Sequence, residues 1–302
     1  MIKKSPVTGA SHRRAGVLTA LTLAMLWQTP ALAQEPFRIG LVALPGEEAQ
    51  VEGLGRIKAA YSRALGLPVE VMVARDYAVL AQAQIDGRID YAVYSAMAYA
   101  AAMRRCGCLA PLAAPVDSDG AIGLRSVLIV RRDDPGAQGR LAVGPADSLT
   151  TRLAPLAASG EAQMAAAEGR LVETESAAQA QSMFLHGEVD GFFGWIPALE
   201  QGEDGGDAPS AGAFSQLSAA GLDPSSWRVI WRSAILRYGP HAVRSDLPEP
   251  QKKRLSDLLA RISGDEIDLG LRLARGHGGS FAAVGADDYA PVEEALKALD
   301  RP

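Results

Sequence analysis

Cysteine is nearly missing from this 302-residue chain: Cys106 and Cys108, separated only by Gly107, are the two it has. Two thiols cannot hold a zinc ion alone, and no four-ligand spacing is present, so no metal site is expected. The pair admits two readings, a tight disulfide eased by Gly107 or two small packing residues. Histidine is also scarce, with His12, His186, His241 and His277 scattered along the chain, so a histidine-based catalytic centre would have to assemble wholly through tertiary structure. G-x-S-x-G, G-x-x-x-x-G-K-[ST], H-E-x-x-H and a G-x-G-x-x-G after the first strand are all absent. Neither enzymatic activity nor a cofactor is expected. Bases are outnumbered, 30 Lys and Arg against 35 Asp and Glu for a formal charge of -5, which leaves no broad phosphate-neutralising surface for nucleic acid. Apolar runs stop well short of the roughly 20 residues that a membrane-spanning helix needs.

What is present begins with an export pattern. Lys3, Lys4, Arg13 and Arg14 precede an apolar run from Ala15 to Trp27, and Ala31-Leu32-Ala33 supplies an A-x-A cleavage site, the layout of a secretory signal peptide over residues 1–33. Cleavage before Gln34 would leave 26 bases against 35 acids, a formal charge of -9, and would place the protein in a bacterial periplasm. The remaining length, 48% hydrophobic and 6% aromatic overall, suits two compact globular units.

Along that length the pattern alternates. The nearly continuous apolar run Phe37 to Leu44 reads as a buried strand, and Val51, Leu54, Ile57, Tyr61 and Leu65 follow at helical spacing until Gly66. Val69 to Ala74, Tyr77 to Ile85, Ile89 to Tyr94 and an Ala-rich helix from Ala96 continue a βαβαβα order, hence an α/β fold with a mainly parallel sheet. A second unit follows: strands at Ser126 to Arg131, Leu141 to Gly144, near Leu171 and Val189 to Phe193, with helices from about Thr150 and from Ser176 to Leu185. Residues 202–212 read as a polar surface loop, Trp227 to Trp231 as a returning strand, and the tail from Pro250 as a helix burying Leu255, Leu258, Leu259 and Ile262.

Hydroxyl groups gather where strands end and helices begin. Asp147-Ser148-Leu149-Thr150-Thr151 follows one strand, Tyr94-Ser95 another and Asp76-Tyr77 a third. Open α/β sheets bind ligands at those carboxyl edges, where helix N-terminal amides favour anions. Taken singly, each also fits an ordinary helix cap or packing residue.

Five segments in order and spacing, Ala74-Arg-Asp-Tyr-Ala78, Gly87-Arg-Ile-Asp-Tyr-Ala-Val-Tyr-Ser95, Asp147-Ser-Leu-Thr-Thr-Arg-Leu-Ala-Pro155, Gly187-Glu-Val-Asp190 and Arg244-Ser-Asp-Leu-Pro248, resemble the phosphonate, phosphite and phosphate receptors that serve ABC importers. The resemblance implies a two-lobed periplasmic-binding fold of type II-like architecture, with residues 36–126 and 234–302 in one lobe and 127–233 in the other. It implies a monomer that closes on a small oxyanion and then docks on a membrane permease. By the same resemblance Tyr77, Tyr94, Ser148, Thr150 and Thr151 contact the oxyanion; Ser95, at the carboxyl end of its strand beside Tyr94, is a further ligand-binding candidate, and Arg237 and Tyr238 lie where the second crossing ends and are candidates to face the cleft. Two departures stand out. Leu149 replaces a family hydroxyl, and no acid stands near Gly194-Trp-Ile-Pro197 to neutralise a ligand amine, Asp190 and Glu200 lying elsewhere, so an aminophosphonate is disfavoured. Two rivals keep the fold: a periplasmic sensor for another solute, or an enzyme using a cleft thiol or carboxylate.

Overall fold

The computed structural model describes residues 1–3, 35–43, 53–134, 137–199, 211–265, 270, 273–278 and 280–300. Residues 35–302 form one compact unit. The expected signal peptide lies almost wholly outside the described residues, as does most of the loop expected at 202–212.

The chain opens with β1 (Phe37–Val42), α1 (Leu54–Leu65), β2 (Val69–Ala74), α2 (Tyr77–Ile85), β3 (Tyr91–Val93) and α3 (Ala96–Cys106). Gly66 ends α1 at φ 71 and Gly107 ends α3 at φ 58, left-handed positions where a side chain is disfavoured. Strands β4 (Leu109–Val116), β5 (Gly123–Arg131) and β6 (Leu141–Val143) follow. A π-helical turn (Leu149–Leu153) then feeds α4 (Ala154–Ala158), α5 (Gly160–Ala167), β7 (Leu171–Glu173), α6 (Ala177–Leu185) and β8 (Gly191–Ala198). The rest of the order is α7 (Gly212–Ala219), β9 (Trp227–Arg232), β10 (Leu236–Arg237), β11 (His241–Arg244), α8 (Glu249–Asp265), β12 (Ser280–Ala283) and, after a 3-10 turn (Ala286–Tyr289), α9 (Ala290–Lys297).

Among the described residues these strands build two sheets, one in the order β12-β4-β11-β3-β1-β2 and the other β10-β5-β8-β6-β7, with β9 also paired to β5. The α/β class read from the sequence stands, but neither sheet is mainly parallel. In the first, β1 pairs in parallel with β2 and β3, while β11 runs antiparallel to β3 and β4, and β12 to β4. In the second, β6 is parallel to β7 and β8, while β5 is antiparallel to β8, β9 and β10. The reason is connectivity: parallel neighbours need a helical crossover, whereas β11 arrives from the other sheet through three residues and fills the slot between β3 and β4 reversed. The chain passes between the sheets at 117–122 and 238–240. The lobe boundary expected at 126/127 falls within β5, and that at 233/234 falls ahead of β10, which pairs with β5.

Side-chain alternation gives each sheet two buried faces. Tyr91 and Val93 pack with Ile39, Tyr61 and the α8 residues Leu255, Leu258, Leu259 and Ile262, while Ala92 and Tyr94 pack with Leu80 and Tyr99 on the other side. In the second sheet Val127 and Ile129 face one cluster, and Leu128 and Val130 face the other. Leu153 and Ala154, which follow β6 of the second sheet, are buried in the same cluster as Tyr94, Tyr99 and Val292 of α9. The two sheets therefore share core.

Candidate functional site

A cavity of about 360 Å³ lies where connections from both sheets converge. Tyr77 opens α2 just after β2, Ser95 caps α3 just after β3, and Thr150 sits in the π-helical turn after β6, so three carboxyl ends of parallel strands deliver hydroxyls to one place. Asp76 fixes the start of α2 by accepting from the Val79 amide at 2.7 Å, and that bond holds its carboxyl below the usual range. Ser95 Oγ accepts from the Ala98 amide at 3.2 Å. The remaining polar wall comes from Arg237 and Tyr238 at the second passage between sheets and from Arg275 and His277 before β12.

The eight residues singled out from the sequence divide sharply. Tyr77, Ser95, Thr150, Arg237 and Tyr238 line the cavity. Tyr94 also lines it, but its hydroxyl donates to Gln84 Oε1 at 2.9 Å in the core, and Gln84 in turn donates to the Ala242 carbonyl at 3.1 Å. Its hydroxyl proton is thus engaged away from the cleft. Ser148 and Thr151 are not in the lining: their hydroxyls lie 2.7 Å apart, Ser148 Oγ accepts from the Thr151 amide, and Thr151 is 1% exposed. They cap and fasten the π-helical turn, and Gly144 leaves the room for it, since a Cβ there would stand 1.9 Å from Thr151 Oγ1.

Arg275 and His277 went unseen in the sequence. Their signal was a weak one, the Gly-rich run Arg275-Gly-His-Gly-Gly279 between a helix and a strand. Arg275 adopts φ 53, donates to the Val42 carbonyl at 2.9 Å and lies 5.7 Å from the centre of the Tyr77 ring. Among the described residues no carboxylate pairs with it. Arg237, by contrast, is ion-paired with Asp288 at 3.3 Å. The Tyr238 and His277 ring centres lie 3.8 Å apart with the planes tilted by 31°, and both residues reach Asp117, at 3.4 Å from the Tyr238 hydroxyl and 3.6 Å from His277 Nδ1. Burial pushes the Tyr77 hydroxyl above its ordinary pKa against the opposing pull of Arg275 and Ser95. Burial and Asp117 push Tyr238 up as well. Both phenols stay protonated at neutral pH; the Tyr77 hydroxyl is a donor of the form an anion requires, whereas that of Tyr238 donates to Asp117.

Cys106 and Cys108 are joined in a disulfide, which settles the two readings of the pair. It closes the end of α3 opposite Ser95, roughly 16 Å away at 1.5 Å per residue, so a free thiol in the cleft is not on offer. Among the described residues no cluster of His, Cys, Asp and Glu could hold a metal ion, and no helix is long and apolar enough to cross a membrane.

Two α/β sheets joined by two passages, with a cavity at their junction furnished with hydroxyls and guanidinium groups, define the class of two-lobed solute receptors. The family model described as the periplasmic substrate-binding protein of the phosphonate ABC transporter matches residues 41–296. The chain belongs to that family of transport proteins, whose members bind a small ligand in the periplasm and partner with a membrane permease. No curated protein matches the chain in sequence. Among solved structures it is similar to XAC2383 from Xanthomonas citri bound to chloride, with TM-score 0.53 and 16% identity over 88% of this chain and 97% of that one. It is similar also to a binding-protein component of a phosphonate ABC transporter from Pseudomonas aeruginosa, with TM-score 0.47 and 19% identity over 87% and 86%. PhnD1 from Prochlorococcus marinus in complex with methylphosphonate matches with TM-score 0.48 and 14% identity over 89% and 100%.

Proposed function

We propose that the protein captures a small oxyanion, of the phosphonate, phosphite or phosphate kind, in the cavity between its sheets and delivers it to the permease of an ABC importer. The observation that carries this reading is the convergence of Tyr77, Ser95 and Thr150 with Arg275, a guanidinium with no carboxylate partner among the described residues. Neutral hydroxyls and a cation replace the hydration shell of an anion, and each hydrogen bond to an ionised group contributes on the order of 1.5–3 kcal/mol. Ser148 and Thr151 act by holding the turn that presents Thr150, and Tyr94 by packing.

In this reading one lobe is built on the first sheet and the other on the second, with residues 117–122 and 238–240 as the hinge. Ligand draws the lobes together because its contacts to both exist only in the closed state. No covalent step or cofactor takes part. Residues 1–33 direct export, and the exported protein reads from Gln34 on N-terminal sequencing; an unprocessed Met1 on exported protein contradicts that part.

A thermal-shift screen of the ligand-stripped exported protein against small oxyanions tests the function, since a ligand that binds only the folded state raises stability by mass action. A saturable rise with at least one phosphonate, phosphite or phosphate is expected. The same melting temperature with every oxyanion at millimolar concentration would sink the reading.

A further inference from the structure

We infer that the ligand is an organic oxyanion whose acidic head carries an apolar, amine-free and preferably aromatic substituent, so that inorganic phosphate, phosphite and methylphosphonate fill only part of the site. The inference rests on the oxyanion reading above and adds to it what the rest of the cavity selects. The volume, about 360 Å³, lies in the range of roughly 300–1,000 Å³ that holds ligands much larger than a five-atom inorganic anion. Hydroxyls and guanidinium groups make only part of its wall. Pro115 of β4, Leu124 of β5, Leu149 of the π-helical turn, Leu236 of β10 and Leu273 make an apolar part contributed by both sheets. A hydrated inorganic anion gains nothing from these side chains, whereas an apolar substituent removes them from water together with itself.

Leu149 is the decisive residue. It stands one position before Thr150, lines the same cavity and packs against the buried cluster that contains Tyr94, Ala96 and Leu236. A donor at that position would extend the anion-binding hydroxyls; a leucine ends them and begins the apolar wall. The adjoining Tyr238 and His277 rings, tilted by 31° to each other, add an aromatic surface to the same cavity, which favours a planar π-system in offset or edge contact.

Charge argues against an amine on the substituent. Among the described residues no carboxylate lines the cavity. Two acids next to lining residues are engaged by them, Asp288 by Arg237 and Asp117 by Tyr238 and His277. Among the described residues a ligand ammonium would find no lining carboxylate to replace the water it sheds, and it would lie beside two guanidinium groups.

Titration of the exported protein with inorganic phosphate, methylphosphonate, 2-aminoethylphosphonate and phenylphosphonate tests the inference. Phenylphosphonate is expected to bind at least about tenfold more tightly than the other three, the discrimination a filled apolar space commonly supplies. Leu149→Thr is expected to narrow the phenyl-to-methyl ratio several-fold. Should that variant fail to fold, the wild-type ranking alone decides. Phosphate, methylphosphonate or the aminophosphonate binding as tightly as phenylphosphonate overturns the apolar-substituent inference while leaving oxyanion capture intact. If none of the four binds, this inference fails, and the thermal-shift screen, with phosphite included, separately decides whether oxyanion capture fails with it.

Discussion

Two tyrosines that look alike in sequence, each just after a strand, do different work because their hydroxyls point to different partners. Tyr77 presents a protonated phenol to the cavity beside Ser95 and Arg275, whereas Tyr94 gives its proton to the fully buried Gln84. Tyr94→Phe therefore leaves Gln84 Oε1 without that donor. It is expected to lower unfolding stability by about 1–3 kcal/mol and to leave ligand affinity within a factor of two or so, measured by urea denaturation and titration in parallel. A large affinity loss with stability unchanged would return the Tyr94 hydroxyl to the ligand. A second buried chain links the core to the cleft. Tyr61 and Tyr91 hydroxyls lie 2.6 Å apart, Tyr91 bonds His241 Nδ1, and His241 Nε2 donates to the carbonyl of Leu273, which lines the cavity. Burial pushes His241 from 6.5 down to about 3, so the folded protein binds its proton less readily than the unfolded chain. That contribution is complete above pH 6.5 and is lost as pH falls from 6.5 toward 3, with a limiting slope of about 1.4 kcal/mol per pH unit. Urea midpoints should drop between pH 6 and 4, and His241→Gln should flatten that slope; an unchanged slope would show that other groups cause it.

Among the elements, those that follow one rule throughout were legible and those that combine two were not. Strands β1 and β2, helices α2 and α6, and the buried face of α8 appear where the sequence puts them. Strand β4 was missed because Leu109-Ala-Pro-Leu-Ala-Ala-Pro-Val116 carries two prolines, which normally argue against an interior strand. Here the register against β11 shifts between His241 and Ala242, so Leu112 is bulged beside Pro111 and the ladder absorbs the missing amide. The anion-site reasoning placed Thr150 at the cavity but could not separate it from Ser148 and Thr151, because a π-helical turn changes which hydroxyls face outward. Arg275 and His277 stayed hidden because their place depends on β12 and β11 closing the first sheet from opposite sides of β4, a long-range fact. The passage Tyr238–Pro240 lies so close to the start of α3 that a Cβ on Gly239 would stand 2.0 Å from the Tyr94 carbonyl oxygen and 2.6 Å from Ser95 Cα. Gly239→Ala is expected to cost about 1–3 kcal/mol of stability through overpacking and to weaken ligand binding by displacing Ser95. Wild-type stability and affinity in that variant would show that the two segments part without consequence.

For the whole molecule, the two sheets divide the labour of a receptor and share its cost. Each has its own two-faced core, while Leu153 and Ala154 from the second sheet's side lie among Tyr99, Tyr289 and Val292. Opening the cleft fully would uncover that apolar contact, so the closure proposed above has to act on a partly preassembled junction. Small-angle scattering should then show a modest fall in the radius of gyration on saturation with ligand, and a radius independent of ligand would contradict closure. The most direct test of oxyanion capture in this cavity is calorimetric titration of the exported protein and of its Arg275→Gln variant with the tightest phosphonate found. One site per monomer is expected in the wild type, with an affinity reduced at least about tenfold in a variant that melts cooperatively, as the loss of a charge-assisted hydrogen bond requires. Equal affinity in the two proteins would contradict it.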